Sequence, residues 1–370
     1  CMPAARPLGS PMEPAVTELK RSGLLAATVP VRLGGPGLSP SQIASRVGAL
    51  AEQDGSLGQV PQSHLSFSRW LFKEADPANT PEARQYWADR LLGIQHHSGS
   101  GSSSDSSILF ANAQIESAAA TAGGGPVVLD NGRLNGRKIF CTGSIYAEVI
   151  VVAARRPGED RQTLAAFLPV DAPGLTVVDD WSALGQEFTG SGTVVFEDVT
   201  VPEGALRSFD AALTLPGYGA FAQLLHAAID VGIATSALDA ALELTRQDDP
   251  DPLTSHLVGE LVAQRFAAEA VVEKAGRTLD ELWASGGTDT SAEASLQVAA
   301  AKVTTGALTV DLASRIYELT GTRGTAGGSN LDRHWRELRT HTLHERRRDK
   351  LATLGCAALT GENPPAGPKF

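Results

Sequence analysis

The chain has 370 residues, 42% of them hydrophobic and 20% charged, with a formal net charge of −11 and a pI near 5.2. That is enough apolar material for two or three domains with real cores, and too acidic a balance for a general nucleic-acid binder or a basic membrane-surface helix. Three cysteines without paired spacing, Cys1, Cys141 and Cys356, point to a reducing, cytoplasmic setting rather than a disulfide or metal-finger framework, and no leader peptide or apolar run of membrane-span length is expected.

In chain order, residues from about Glu13 to Leu92 read as helices. AVTELKRSGLLAA keeps helical spacing up to the punctuation at Pro30 and Gly34-Gly35-Pro36. SQIASRVGALAEQDG follows, with Ser39 or Ser41 as its cap, and PEARQYWADRLLG places Pro81 in a first turn. The tract SGSGSSSDSS then has the composition of a flexible boundary. From about Ile108 to Pro202 the pattern turns to short β-branched runs, with hairpin turns predicted at Asp130-Asn131-Gly132 and at Asn135-Gly136. Such runs predict a compact antiparallel barrel or sandwich. From Phe221 onward, three long alanine-rich segments and a last, histidine-bearing one predict a four-helix bundle. The expected α+β division is an N-terminal helical domain at 1–105, a β-barrel at 106–205 and a helix bundle at 206–370.

The last segment contains RTHTLHERRR, from Arg339 to Arg348. On a continuous helix His334, His341 and His344 would fall within about 80° of one another. An imidazole titrates near neutrality and suits proton transfer in either direction; the bland alternatives are a solvated helix face or a satisfied core histidine. His341, His344 and Glu345 also have a spacing that can share a metal, but no further Cys/His cluster supports one, and no metal is expected.

The order of helices, small barrel and bundle resembles the acyl-CoA dehydrogenase superfamily. So do the strings SGLLAATVPVRLGGPGLS, LNGRKIFCTGSIYAEVIVVAA and ALGQEFTGSGTVVFEDVTVP. SNLDRHWRELRTHTLHER resembles the C-terminal segment of its flavin-dependent monooxygenase subgroup, that of dibenzothiophene monooxygenase and the SfnB-type sulfur-acquisition oxidoreductases. There an Arg-Thr-His-x-x-His run precedes Asp-Pro, where this chain has Glu345-Arg346. The resemblance implies an acyl-CoA dehydrogenase-like fold, and a monooxygenase that takes reduced FMN from a separate flavin reductase, with FAD as the alternative. It would form a C4a-peroxyflavin and oxygenate a sulfur, nitrogen or aromatic centre of a small-molecule substrate, working as a homotetramer or homodimer.

The resemblance also assigns residues. His341 and His344 would form and protonate the peroxide, and His64 would lie near the flavin, with Ser68 where relatives carry a tyrosine. Thr142 would meet flavin N5 or O4 from its strand, with Ser144 as a weaker substitute. Asn112, in an earlier loop, would face the pyrimidine ring, and Trp181 would lie close by. Arg246 would reach the flavin phosphate, and Gly321, Thr322 and Gly324 would approach phosphate through backbone amides. Two other readings stay open: an acyl-CoA dehydrogenase with Glu345 as α-proton base, and a degenerate flavin-binding member, which Glu187 in place of the relatives' arginine would fit. No G-x-G-x-x-G follows a strand, so no nicotinamide-binding domain is expected.

Overall fold

The computed structural model describes residues 12–94, 106–116, 125–202, 204–246, 248–286, 291–364, 367 and 370. Cys1 and most of the Gly/Ser tract, residues 98–105, lie outside them. The chain divides into two compact units. One comprises the residues up to Leu38, Val60–Ser182 and Phe188–Leu215; the other comprises Ser39–Gln59, Ala183–Glu187 and Pro216–Phe370.

In the first unit, α1 (Glu13–Arg21) and α4 (Pro81–Leu92) are short helices. The N-cap of α4 is Thr80, whose hydroxyl accepts from Ala83 N–H, and Pro81 occupies the first helical position. Among the described residues eight strands follow: β1 (Phe110–Ala113), β2 (Val128–Asp130), β3 (Arg133–Lys138), β4 (Val149–Ala154), β5 (Leu164–Pro169), β6 (Leu175–Val178), β7 (Thr193–Thr200) and β8 (Leu206–Ser208). They form two four-stranded sheets, ordered β1-β4-β5-β8 and β2-β3-β7-β6. Leu134, Ile150, Leu168, Val194 and Phe196 of both sheets share one core. The expectation of a purely antiparallel barrel needs one correction, because β1 pairs with β4 in parallel.

The two predicted hairpin turns differ in outcome. Asn131 (φ 47°) and Gly132 (φ 76°) connect β2 to β3 as a two-residue turn with both residues left-handed. Asn135-Gly136 is not a turn. It is a bulge inside β3, where the register against β7 shifts between Leu134 and Gly136. Gly136 has φ 134°, and a Cβ there would lie 2.7 Å from Pro126 O.

The second unit is helical. α2 (Pro40–Gln53) is capped by Ser39, which with Gln42 closes a capping box. α6 (Tyr218–Thr245), α7 (Pro252–Ser285) and α8 (Ser291–Thr320) are the long helices of the bundle. α2 packs on α6 so closely that a Cβ on Gly232 would stand 2.1 Å from Gly48 O. α9 (Asp332–His341) and α10 (Arg347–Thr360) follow, and α9 packs on α6 and α8. Contrary to the reading that no apolar run is long enough, α6 would pass as a membrane span by length and composition. Its apolar window is 78% buried inside the protein, which makes it the core helix of the bundle. α3 (Gly55–Trp70) runs from one unit into the other, and α5 (Phe209–Leu213) is a short helix of the first unit.

Candidate active site

Gln223, His226 and Asp230 are the buried polar side chains in the apolar sequence of α6, the last two one helical turn apart. Burying them alone would cost several kcal/mol, on the order of 2–7 for each unpaired group, so partners are required. Asp230 finds two. Lys302 of α8 donates its ammonium to Asp230 Oδ2 at 2.6 Å, and Asp230 Oδ1 lies 2.6 Å from His341 Nδ1 at the end of α9. Burial pushes the Asp230 carboxyl upward, but Lys302 and His341 outweigh it and hold it below the usual carboxylate range.

His341 is 3% exposed. Its Nε2 lies 2.9 Å from His226 Nδ1 and 3.0 Å from Gln59 Oε1. Burial lowers its basicity, with Asp230 opposing, so the ring rests neutral near pH 7. Asp230 accepts the Nδ1 proton, which leaves a lone pair on Nε2 and makes His226 Nδ1–H the donor. The ring of His226 lies 4.4 Å, centroid to centroid, from that of His344. Burial first, then His344, His341, Lys302 and Lys350, depresses the His226 imidazole well below its ordinary value.

The expected single helical face does not form. α9 ends at His341, and Thr342–Glu345 make a turn, so the exposed His344 meets the cluster from outside the helix. His334 is buried two turns earlier on α9 and is held to a pKa of about 4 by burial. Glu345 Oε1 accepts from Gln223 Nε2 at 2.9 Å, and Oε2 lies 2.9 Å from Lys350 Nζ. Among the described residues no group of three or more His, Cys, Asp and Glu is placed to hold a metal.

The first unit gathers a different set. After β3 the chain makes a turn, and Thr142 sits in that turn rather than in the strand. Its hydroxyl lies 2.9 Å from Ser191 Oγ, which lies 2.7 Å from Thr189 Oγ1. Ser144 donates to Gly190 O at 3.1 Å. Trp181 stands edge-on to Phe140 with centroids 6.0 Å apart. Asn112 lies on strand β1, not in a loop, and its amide donates to Ser63 Oγ at 3.3 Å. A cleft of about 670 Å³ opens at the other end of β7, lined by Arg133, Pro169, Asp198 and Thr200 among others, and contains none of the expected site residues.

The sequence matches the acyl-CoA dehydrogenase middle domain over residues 107–199 and its C-terminal domain over residues 224–348. It is 32% identical to dibenzothiophene monooxygenase of Mycolicibacterium goodii, across 95% of this chain and 88% of that protein. Among solved structures it is similar to TdsC of Paenibacillus sp. A11-2 in complex with FMN and indole, with a TM-score of 0.83 and 27% identity over 96% of this chain and 93% of that one. Methanesulfinate monooxygenase MsuC of Pseudomonas fluorescens matches with a TM-score of 0.84 and 28% identity, over 98% and 93% of the two chains.

The chain belongs to the acyl-CoA dehydrogenase family, in its flavin-dependent monooxygenase branch.

Within this monooxygenase fold, His64 belongs to the first unit. It is fully buried, accepts from Phe110 N–H at Nδ1 and pairs with Leu25 O through Nε2; burial holds its pKa at about 4 despite the backbone bond. Both nitrogens are spent on backbone, so the ring braces α3 against neighbouring segments instead of exchanging protons. Ser68 shares a hydrogen bond with Thr28 Oγ1 at 2.8 Å. Arg246 follows α6, is 78% exposed and pairs with Glu243 at 3.3 Å. Gly321, Thr322 and Gly324 form a single 3₁₀ turn after α8.

Sequence reasoning missed His226, Asp230, Lys302 and Gln59. The signal was present for three of them. A histidine and an aspartate four apart in QLLHAAIDVGIA, and a lysine in VAAAKVTTGA, are polar groups inside otherwise apolar helices, and those have to be paired. Gln59 carries no such mark.

Proposed function

We propose that this monooxygenase uses reduced FMN, delivered by a separate reductase, to transfer one atom of dioxygen to the sulfur of a small organic sulfur compound, with nitrogen and aromatic centres as the wider range. The observation that supports this best is the contrast within the second unit. The buried Asp230 carboxylate holds His341, and His226 and His344 are linked to that ring in turn, while the Glu345 carboxylate accepts from Gln223 and is ion-paired with Lys350. A dehydrogenase would need that carboxylate aimed at an acyl α-carbon. A monooxygenase needs groups that take up protons and pass them on during turnover.

The residues present fit a flavin. Thr142, Ser191 and Thr189 form a chain of three hydroxyls with two bonds between them, and a hydroxyl can donate or accept, as the alternating edge of an isoalloxazine requires. Arg246, mostly exposed and paired at i,i+3 with Glu243, would suit a phosphate, and the amides of the Gly321–Thr325 turn would add to it. When bound, reduced FMN would supply the two electrons that split dioxygen. Thr142 and Ser144 would orient the ring, Trp181 would wall the site, and His344 and the buried histidines would move protons. The free thiols of Cys141 and Cys356 agree with a reducing compartment.

The test combines the purified chain with FMN, a flavin reductase, NADH and oxygen. Oxidised product from dibenzothiophene or an alkanesulfinate is expected, with no anaerobic bleaching of bound flavin by an acyl-CoA. Bleaching by acyl-CoA that Glu345→Gln abolishes would overturn the reading in favour of dehydrogenation. Absence of any flavin affinity would favour a scaffold role.

A further inference from the structure

We propose that Lys302, Asp230, His341 and His226 form a buried proton store, in which His226 Nε2 is the nitrogen that exchanges protons and His341 is where a captured proton rests. This deepens the monooxygenase reading and rests on it for the use of the proton, though not for the store itself. The bonding pattern fixes the order of the groups. With Lys302 and Asp230 paired at 2.6 Å, Asp230 Oδ1 holds the Nδ1 proton of His341, and His341 Nε2 accepts from His226 Nδ1. That leaves His226 Nε2 as the nitrogen given neither to Asp230 nor to the other ring.

A proton arriving at His226 Nε2 forms one N–H bond there. The Nδ1–H bond of His226 breaks, and its proton bonds to His341 Nε2. His226 ends neutral in the opposite tautomer, and His341 ends as an imidazolium beside the Asp230 carboxylate. Release reverses both transfers, so no net charge or atom is lost. In the charged state His341 Nε2 donates, and Gln59 Oε1, 3.0 Å away, can accept from it. In the neutral state the single Nε2 lone pair takes the His226 Nδ1–H, and the Gln59 amide turns over so that its N–H₂ rather than its oxygen faces that nitrogen. One side chain thus satisfies both states, which a fixed acceptor would not.

The surroundings favour the proton on His341. The groups facing the two rings are Asp230 and Gln223 on α6, Lys302 on α8, Gln59 on α3, His344 and Glu345 in the turn after α9, and Lys350 on α10. Lys302 opposes a charge on either ring; Lys350, His341 and His344 add to that at His226, whereas Asp230 favours a charge on His341. The exposed His344, ring to ring with His226, is the point of contact with the outside. In turnover the store would lend one proton to the oxygen atom that leaves as water and recover one before the next cycle. Lys302 and Asp230 act through His341 and are positioning residues.

Nitrogen-15 NMR of histidine-labelled, flavin-free protein tests the store directly. At pH 8, His341 is expected as the Nδ1–H tautomer and His226 likewise. On acidification His341 is expected to become doubly protonated while His226 changes tautomer without charging. Asp230→Asn should mix the His341 tautomers, and the double substitution Asp230→Asn with Lys302→Met, which removes both charges, guards against a fold lost through an unpaired ammonium. His226→Asn keeps a donor for His341 Nε2 but removes the exchanging nitrogen. It should flatten the acidic limb of the product-yield pH profile and divert oxygen to peroxide by roughly tenfold or more, with FMN affinity unchanged.

A neutral His341 found as the Nε2–H tautomer, or a His226 that charges before His341, would overturn the store. An unchanged pH profile in His226→Asn would overturn its role in turnover. If the tautomers are as stated but no sulfur compound is oxygenated, the store stands and the functional reading fails.

Discussion

His64 and His341 are both buried histidines with both ring nitrogens engaged, and they differ in what those nitrogens meet. His64 meets two backbone groups, which cannot change protonation state; His341 meets a carboxylate and another imidazole, which can. Replacing His64 with Ala strands Phe110 N–H and Leu25 C=O and opens a cavity, so a loss of roughly 3–5 kcal/mol is expected in urea denaturation. The pH dependence follows from the same burial. His64 and His334 have folded pKa values of about 4, below the ordinary 6.5, so between those values the unfolded chain binds more protons than the folded one. Stability is therefore full above pH 6.5 and falls as the pH drops toward 4, by about 3 kcal/mol at most for each ring. Glu337 works in the opposite direction. Burial, with Asp54 adding to it, raises its pKa to about 7, so its contribution is full below pH 4.5 and is lost as the pH rises through 7. Glu337→Gln should raise the urea midpoint at pH 8 and leave it nearly unchanged at pH 4.5; equal effects at both would show that Glu337 does not titrate across that range.

At the scale of elements, what was legible in the sequence was whatever rests on local chemistry. The Ser39 cap, Pro81 in the first turn of α4 and the Asn131-Gly132 hairpin depend on a few neighbouring residues, and each formed as the residues dictate. Asn135-Gly136 carries the same dipeptide signal, but Gly136 is needed for another reason: β3 passes so close to Pro126 that only a residue without Cβ fits. A hairpin signal and a bulge signal are identical locally, and the neighbouring strand decides between them. Gly136→Ala should therefore destabilise by about 1–3 kcal/mol, read as a lowered thermal midpoint. Gly232→Ala should cost at least as much by forcing α2 away from α6 at Gly48. The site was less legible than the fold. His341 and His344 were marked by their spacing, yet the helix stopped between them because the chain turns at Thr342–Glu345. His226 and Asp230 share α6, but Lys302 and His341 come from helices far from it in sequence, and only packing shows that the four share one buried network.

For the whole molecule, family membership fixes the scaffold, and the arrangement of charged groups within it separates oxygenation from dehydrogenation. Glu345, in the turn between α9 and α10, is held by Lys350 and Gln223, while Asp230 holds His341 and through it the ring of His226. The account thus predicts chemistry that uses molecular oxygen as a substrate, not merely as an acceptor of electrons from flavin. The most direct measurement supplies ¹⁸O₂, FMN, a flavin reductase, NADH and an organic sulfide to the purified protein, and weighs the sulfur product by mass spectrometry. The account predicts one ¹⁸O atom in the product, dependent on the protein and lost with the imidazole cluster. Product formed without the label, or label recovered wholly as peroxide with the sulfide intact, would contradict it.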